Sequence, residues 1–246
     1  MYDVTLFVRA EDESLAQDGA MSEGEIATKL GLVGISPLSE IIHVSRFIEL
    51  ARYYDIKIVF KAIAQPRSLD LIEQAKREGV RVQAEVSLHH LLFSDSACDD
   101  FNTTAKIDPP LVSEEKRVRL LQALQEGKID MLTTLHHPQS AVNKEVAFAQ
   151  AKYGTDNIGE ALTLYYDKLI KNGIVSMSRL IELTCKHPAR SIARECGEIK
   201  EGMRCDFVVF DPKKELTIDN ANSLYCGETL QGRVVRAFID ERIVEV

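Results

Sequence analysis

Four short apolar, β-branched-rich runs, VTLFV (4–8), IKIVF (56–60), VRVQAEV (80–86) and MLTTL (131–135), each precede a polar stretch with helical period. Strand followed by helix, repeated, restricts a chain to a parallel sheet with crossover helices. Between the first two runs the spacing predicts a helix from Pro37 to Tyr54, with Leu38, Ile41, Ile42 and Ile48 on one face, widened by Val44, Phe47 and Ala51. SLDLIEQAKREG reads as a helix capped by Ser68 and ended by Gly79. EEKRVRLLQALQEG repeats the pattern, with Ser113 as cap, an acidic first turn and Gly127 as terminator.

From Thr155 to Arg194 the period is helical, with Ser176 placed to cap and Pro188 marking a boundary. It then becomes alternating: CDFVVFDP, ELTID, GRVVRAFID and RIVEV read as strands separated by Pro, Asn and Gly turns. A complete (β/α)₈ barrel takes about 250 residues by itself. Four βα strands and a β tail in 246 residues therefore make the expected fold α/β, about the second half of a barrel, over 1–195, with a small β portion over 196–246.

Composition excludes several function classes. A net charge of −8 argues against nucleic acid, whose phosphates require clustered Lys and Arg. No apolar run reaches the ~20 residues of a membrane span, and the opening MYDVTLFVRAEDESL lacks signal-peptide character, which points to the cytoplasm. Five cysteines without a CxxC pair suit reduced thiols, and Cys185 and Cys196, in a helical region among apolar neighbours, are expected to be buried or inert thiols rather than nucleophiles.

RAEDESL, SEGEIATKLGL, AEVSLHHLLFSD, NTTAKIDPPL, KYG, HPARSI and EIKEGMRCDFVVFD occur in an order that resembles the dihydroorotases, zinc amidohydrolases that interconvert carbamoyl aspartate and dihydroorotate. The resemblance implies an amidohydrolase (TIM-like) barrel whose β-sandwich is built from both ends of the chain. It also implies zinc, yet the positions it assigns to ligands are replaced. Arg9 stands where the family has a histidine before a Glu-Asp pair, Ala62 at the histidine ending the next strand, and Leu135 at the aspartate that ligates zinc and moves the proton. Gln139 replaces a substrate-contacting histidine, and no His-x-His pair occurs in the chain. No cofactor is therefore expected.

The resemblance assigns three vestigial substrate positions, Asp108, Tyr153 and Gly154. Asp108 replaces an asparagine and would repel a dicarboxylate; Tyr153 and Gly154 match a pair whose backbone touches substrate, and read as loop geometry. His89/His90 and His136/His137 follow consecutive strands and invite a metal reading. Adjacent residues on an extended segment face opposite ways, however, so no more than one of each pair would face the centre. His43 and His187 read as capping or surface residues, and Glu11 with Asp12 as a solvated strand-end cluster.

The favoured function is a non-catalytic dihydroorotase-like protein; the alternative is one part of an active dihydroorotase. Half a barrel leaves two parallel edges unpaired, so a partner is expected. Because inactive relatives accompany aspartate transcarbamoylase, the resemblance suggests that subunit as one partner. Self-association is the simpler choice.

Overall fold

The computed structural model describes residues 4–240 and 242–245, which form two compact units divided between Asp156 and Asn157. In the first unit the elements run β1 (Thr5–Arg9), α1 (Glu13–Ala16), β2 (Met21–Ser22), α2 (Glu25–Leu30), β3 (Gly34–Ile35), α3 (Leu38–Tyr54), β4 (Lys57–Lys61), α4 (Pro66–Arg77), β5 (Val82–Ser87), α5 (Leu88–Leu92), α6 (Glu114–Gln125), β6 (Met131–Thr133) and α7 (Ala141–Lys144). Two 3₁₀ segments, Asp95–Phe101 and Thr103–Ala105, lie between α5 and α6.

The four expected strands pair in the order β1-β4-β5-β6, and every pairing is parallel. β4 and β5 form the core: Ile58, Val59, Phe60, Val82, Ala84 and Val86 are buried, as a strand covered on both faces requires. β1 differs. Among the described residues it pairs only with β4, and Leu6 and Phe7 are 41% and 44% exposed. The sheet thus ends at β1 on one side and β6 on the other, the open-ended arrangement anticipated for part of a barrel.

Helix α3 starts one residue after Pro37 and buries Val44, Ile48 and Ala51. Gly79 and Gly127 follow α4 and α6 at φ +83° and +78°, the left-handed geometry that lets a strand begin at once. Ser68 does not cap α4: Pro66 enters at the first turn and Gln65 is the capping residue. Proline's fixed φ and missing N–H suit that position, so the helix begins before the serine.

The second unit contains α8 (Ala161–Tyr165), α9 (Met177–Ile181) and α10 (His187–Ser191); π-helical turns extend α8 through Ile170 and join α9 to α10 through Glu182–Lys186. Ser176 caps α9, its Oγ accepting from the Arg179 N–H at 3.1 Å. Strands β7 (Phe207–Thr217), β8 (Thr229–Ile239) and β9 (Arg242–Glu245) form an antiparallel sheet. CDFVVFDP and ELTID are one strand, with the register irregularity between Asp211 and Glu215 accommodating Pro212. Among the described residues no helix is long and apolar enough to cross a membrane.

Candidate functional site

In parallel α/β sheets, functional side chains gather beyond the carboxyl ends of the strands. Here those ends carry Arg9 to Glu11 after β1, Ala62 to Gln65 after β4, His89 and His90 after β5, and Leu135 to His137 after β6. The 102–112 segment and the stretch leading to Gly154 join them.

Arg9 organises the end of β1. Its guanidinium pairs with Glu11 at 2.5 Å and with Asp108, so the position that the resemblance assigns to a ligand and the one it assigns to substrate form an ion pair. Desolvation nevertheless raises the Asp108 carboxyl above the usual carboxylate range, with Arg9 opposing that and Glu11 reinforcing it. Asp12 sits apart from this pairing, capping α1 through the Ser14 N–H at 3.1 Å and binding Arg46 at 3.1 Å. Tyr153 donates its hydroxyl to the Gly19 carbonyl at 2.9 Å. Gln139 holds the same loop, donating to the Tyr153 carbonyl at 3.0 Å.

Gly154 has φ +131°, and its N–H donates to the Lys106 carbonyl at 2.9 Å. A Cβ there would stand 2.1 Å from the His137 carbonyl oxygen, which is why the loop needs glycine.

Three buried charged groups here escaped the sequence reading. Glu40, on α3, accepts from the N–H groups of Ala64 and Gln65, both at 2.9 Å, where α4 begins. Burial pushes its carboxyl up to about 7, against the lowering pull of those donors and of Ser68. Nothing local in the sequence marks Glu40, since its partners lie 24 and 25 residues away. Lys106 and Lys144 are 3% and 4% exposed. Lys106 Nζ donates to the carbonyls of Phe148 and Ala149 and lies 4.7 Å from the Tyr153 ring centre; Lys144 Nζ donates to the carbonyls of Thr103 and Lys106. Each lysine thus clasps the other's segment. Burial, then the charge of Lys106, pushes Lys144 down to about 8. The NTTAKIDPPL run contained Lys106, but its inward reach depends on a segment 42 residues on.

His89 and His90 sit on the short helix α5, not on an extended segment, and both are fully buried. This corrects the expectation that such a pair points to opposite faces. His90 Nε2 donates to the Pro110 carbonyl at 3.1 Å, which leaves Nδ1 to accept from the Ser87 hydroxyl at 2.7 Å. His89 hydrogen-bonds the Thr134 carbonyl. Both rings act as neutral tethers between strand ends. His136 is half-buried and pairs with Asp156 at 3.4 Å, and His137 is exposed. His43 stacks on Phe47, and His187 opens α10.

Arg9, Ala62 and Leu135, at the three positions the resemblance assigns to zinc ligands, offer a cation, a methyl group and a branched alkyl group. Zinc requires nitrogen, sulfur or oxygen donors with free lone pairs, so these side chains do not fit it. Among the described residues no three His, Cys, Asp or Glu side chains converge to hold a metal. The backbone there has an unusual form: Ala62 and Leu135 have φ +50° and +46°, which non-glycine residues rarely adopt. Beside Arg9 and Glu40 lies a cleft of about 30 Å³, room for a few water molecules.

The model of the amidohydrolase family matches residues 18–244. The chain belongs to the amidohydrolase family. It is 36% identical to a dihydroorotase of Elusimicrobium minutum over 96% of this chain and 56% of that protein, and 33% identical to one of Acetivibrio thermocellus over 99% and 59%. It therefore spans a little over half the length of these relatives. The L-hydantoinase of Arthrobacter aurescens shares its fold, with a TM-score of 0.87 and 22% identity over 98% of this chain and 57% of that one. The partial barrel expected from the strand order is the amidohydrolase fold, and its small β portion is the antiparallel sheet β7–β9.

Proposed function

We propose that the chain is a non-catalytic, dihydroorotase-like protein with a structural or regulatory role linked to pyrimidine biosynthesis in the cytoplasm. One observation carries this reading: the Arg9 guanidinium is tied to Glu11 and Asp108, at the position to which the resemblance assigns a neutral donor in a hydrolytic relative. Cyclic-amide hydrolysis needs an activated water and a carboxylate to move its proton, and Leu135 cannot serve as that carboxylate. The exposed apolar residues of β1 support association with a protein partner, for which aspartate transcarbamoylase and a second copy are the candidates.

A second reading keeps the enzyme. The 33–36% identity to proteins named dihydroorotase favours a part of a zinc-dependent dihydroorotase completed by other polypeptide. Dihydroorotate hydrolysis and bound zinc, measured for the chain alone and mixed with aspartate transcarbamoylase, separate the two. The expected result is co-purification without turnover and without stoichiometric zinc. Turnover accompanied by one zinc per chain would establish the enzymatic reading instead.

A further inference from the structure

The second unit holds four of the five cysteines, and all four are exposed, Cys185 and Cys196 among them. Of the expectation that these two are buried or inert, burial fails, because the π-helical turn Glu182–Lys186 presents Cys185 outward and Cys196 lies on an exposed segment after α10. That segment folds back onto the helix. A Cβ at Gly197 would lie 3.2 Å from the Cys185 Cβ and 3.1 Å from its carbonyl carbon. One residue further, Glu198 pairs with Lys186 at 3.0 Å. Two consecutive positions of the returning segment are thus held against residues 185 and 186. The Cα of Cys196 is one peptide step, about 3.8 Å, from the Gly197 Cα.

We propose that Cys185 and Cys196 are a redox-responsive thiol pair that closes to a disulfide. A disulfide needs Cα atoms about 4.4–6.8 Å apart, so closure requires the largely exposed 192–200 segment to bring Cys196 into that range of Cys185. Gly197, at φ +86°, is the pivot. Cys185 also lines an apolar groove with Ile181, Phe207, Phe238 and Ile239, so the new bond fastens one wall of that groove. The oxidant is a small disulfide of the glutathione class. A Cys196 thiolate attacks one of its sulfurs, forming a mixed disulfide and releasing one thiolate; the Cys185 thiolate then displaces the second. The protein loses two thiol protons, and the oxidant is reduced to two thiols. Cys98 is an internal control, because it is buried and its thiol is pushed up to about 12 by desolvation first and then by Asp95 and Asp99.

The test is oxidation of the full chain with oxidised glutathione, followed by intact mass and a non-reduced tryptic map. The expected result is a mass loss of about 2 Da and one cross-link, joining peptide 180–186 to peptide 195–200. Cys196→Ser should replace that loss with a single glutathione adduct on Cys185, with an unchanged circular dichroism spectrum. Separate adducts on Cys185 and Cys196 in the parent chain would overturn the proposal. So would cross-links scattered over Cys205 and Cys226, or no reaction at either residue of the pair.

Discussion

Acidification from pH 6.5 towards pH 4 should strip the first unit of several kcal/mol of stability, and the loss should come from the two neutral histidines. Desolvation lowers His89 to about 3, helped by its neighbour His90, and lowers His90 to about 4 against the opposing Pro110 and Pro109 carbonyls. Their ordinary value is 6.5, so in this window the unfolded chain binds protons that the folded one refuses. Stability then falls as pH falls; one pKa unit is worth about 1.4 kcal/mol, giving about 3 kcal/mol for each histidine by pH 4, with about 1 kcal/mol more from His89 towards pH 3. Glu40 works the other way. Raised from 4.5 to about 7, it takes up its proton in the folded state first and adds about 3 kcal/mol as pH falls from 7 to 4.5. Glu85, Asp95 and Asp108 are raised as well and act in the same direction as Glu40. Near pH 7 to 6.5 the curve should therefore be flat, and it should fall most steeply below 4.5, where Glu40 no longer compensates. Urea midpoints across this range check the shape. His90→Asn keeps an acceptor for the Ser87 hydroxyl and cannot titrate, so it should lower the acid slope by about one proton; an unchanged slope would remove His90 from the account.

How much of this was legible in the sequence depended on whether the controlling partner was near or far. The helix starting after Pro37 and the terminators Gly79 and Gly127 were readable, because proline's fixed φ and glycine's left-handed freedom act locally. So was the parallel order of the four strands, since apolar runs with intervening helices leave few other topologies. The His89/His90 pair was misread because LHHLL looks strand-like as a continuation of VQAEVS, whereas the Ser87 hydroxyl, accepting from the His90 N–H, turns the chain into a helix. The burial of Cys185 was misread because apolar neighbours in a helical stretch do not tell which way a side chain faces, and a π-helical turn turns this one outward. Glu40, Lys106 and Lys144 were not legible as a set: each is buried against backbone groups supplied from 24 to 43 residues away. The ligand replacements at Arg9, Ala62 and Leu135 were visible only through resemblance. The pairing of Arg9 with Asp108 emerges only when residues 99 apart meet.

Gly154→Ala should be far more damaging than any change at its neighbour Tyr153, although the resemblance assigns both to one vestigial substrate contact. At φ +131° an alanine is strained before any contact is considered, and its Cβ would overlap the His137 carbonyl oxygen at 2.1 Å and approach the His137 Cβ at 3.0 Å. The carbonyl cannot swing aside cheaply, because the His137 N–H bonds the Thr155 carbonyl at 3.0 Å and His136 forms a parallel bridge with Thr155. Moving Gly154 instead would break its own bond to the Lys106 carbonyl, which also accepts from Lys144 Nζ at 3.2 Å. The strain therefore spreads to the lysine clasp, whose buried ammonium groups have backbone carbonyls as their acceptors, and a buried charge deprived of acceptors is costly. A loss of about 3 kcal/mol or more is expected for Gly154→Ala. Tyr153→Phe removes one hydroxyl donated to the Gly19 carbonyl and keeps the ring beside Lys106, so about 1 kcal/mol is expected there. Paired denaturant titrations measure the difference. If the two variants lose equal stability, the 137–154 crossing is not the constraint that keeps glycine in this loop; if Gly154→Ala alone collapses the transition, the position is held by backbone geometry and owes nothing to a surviving substrate.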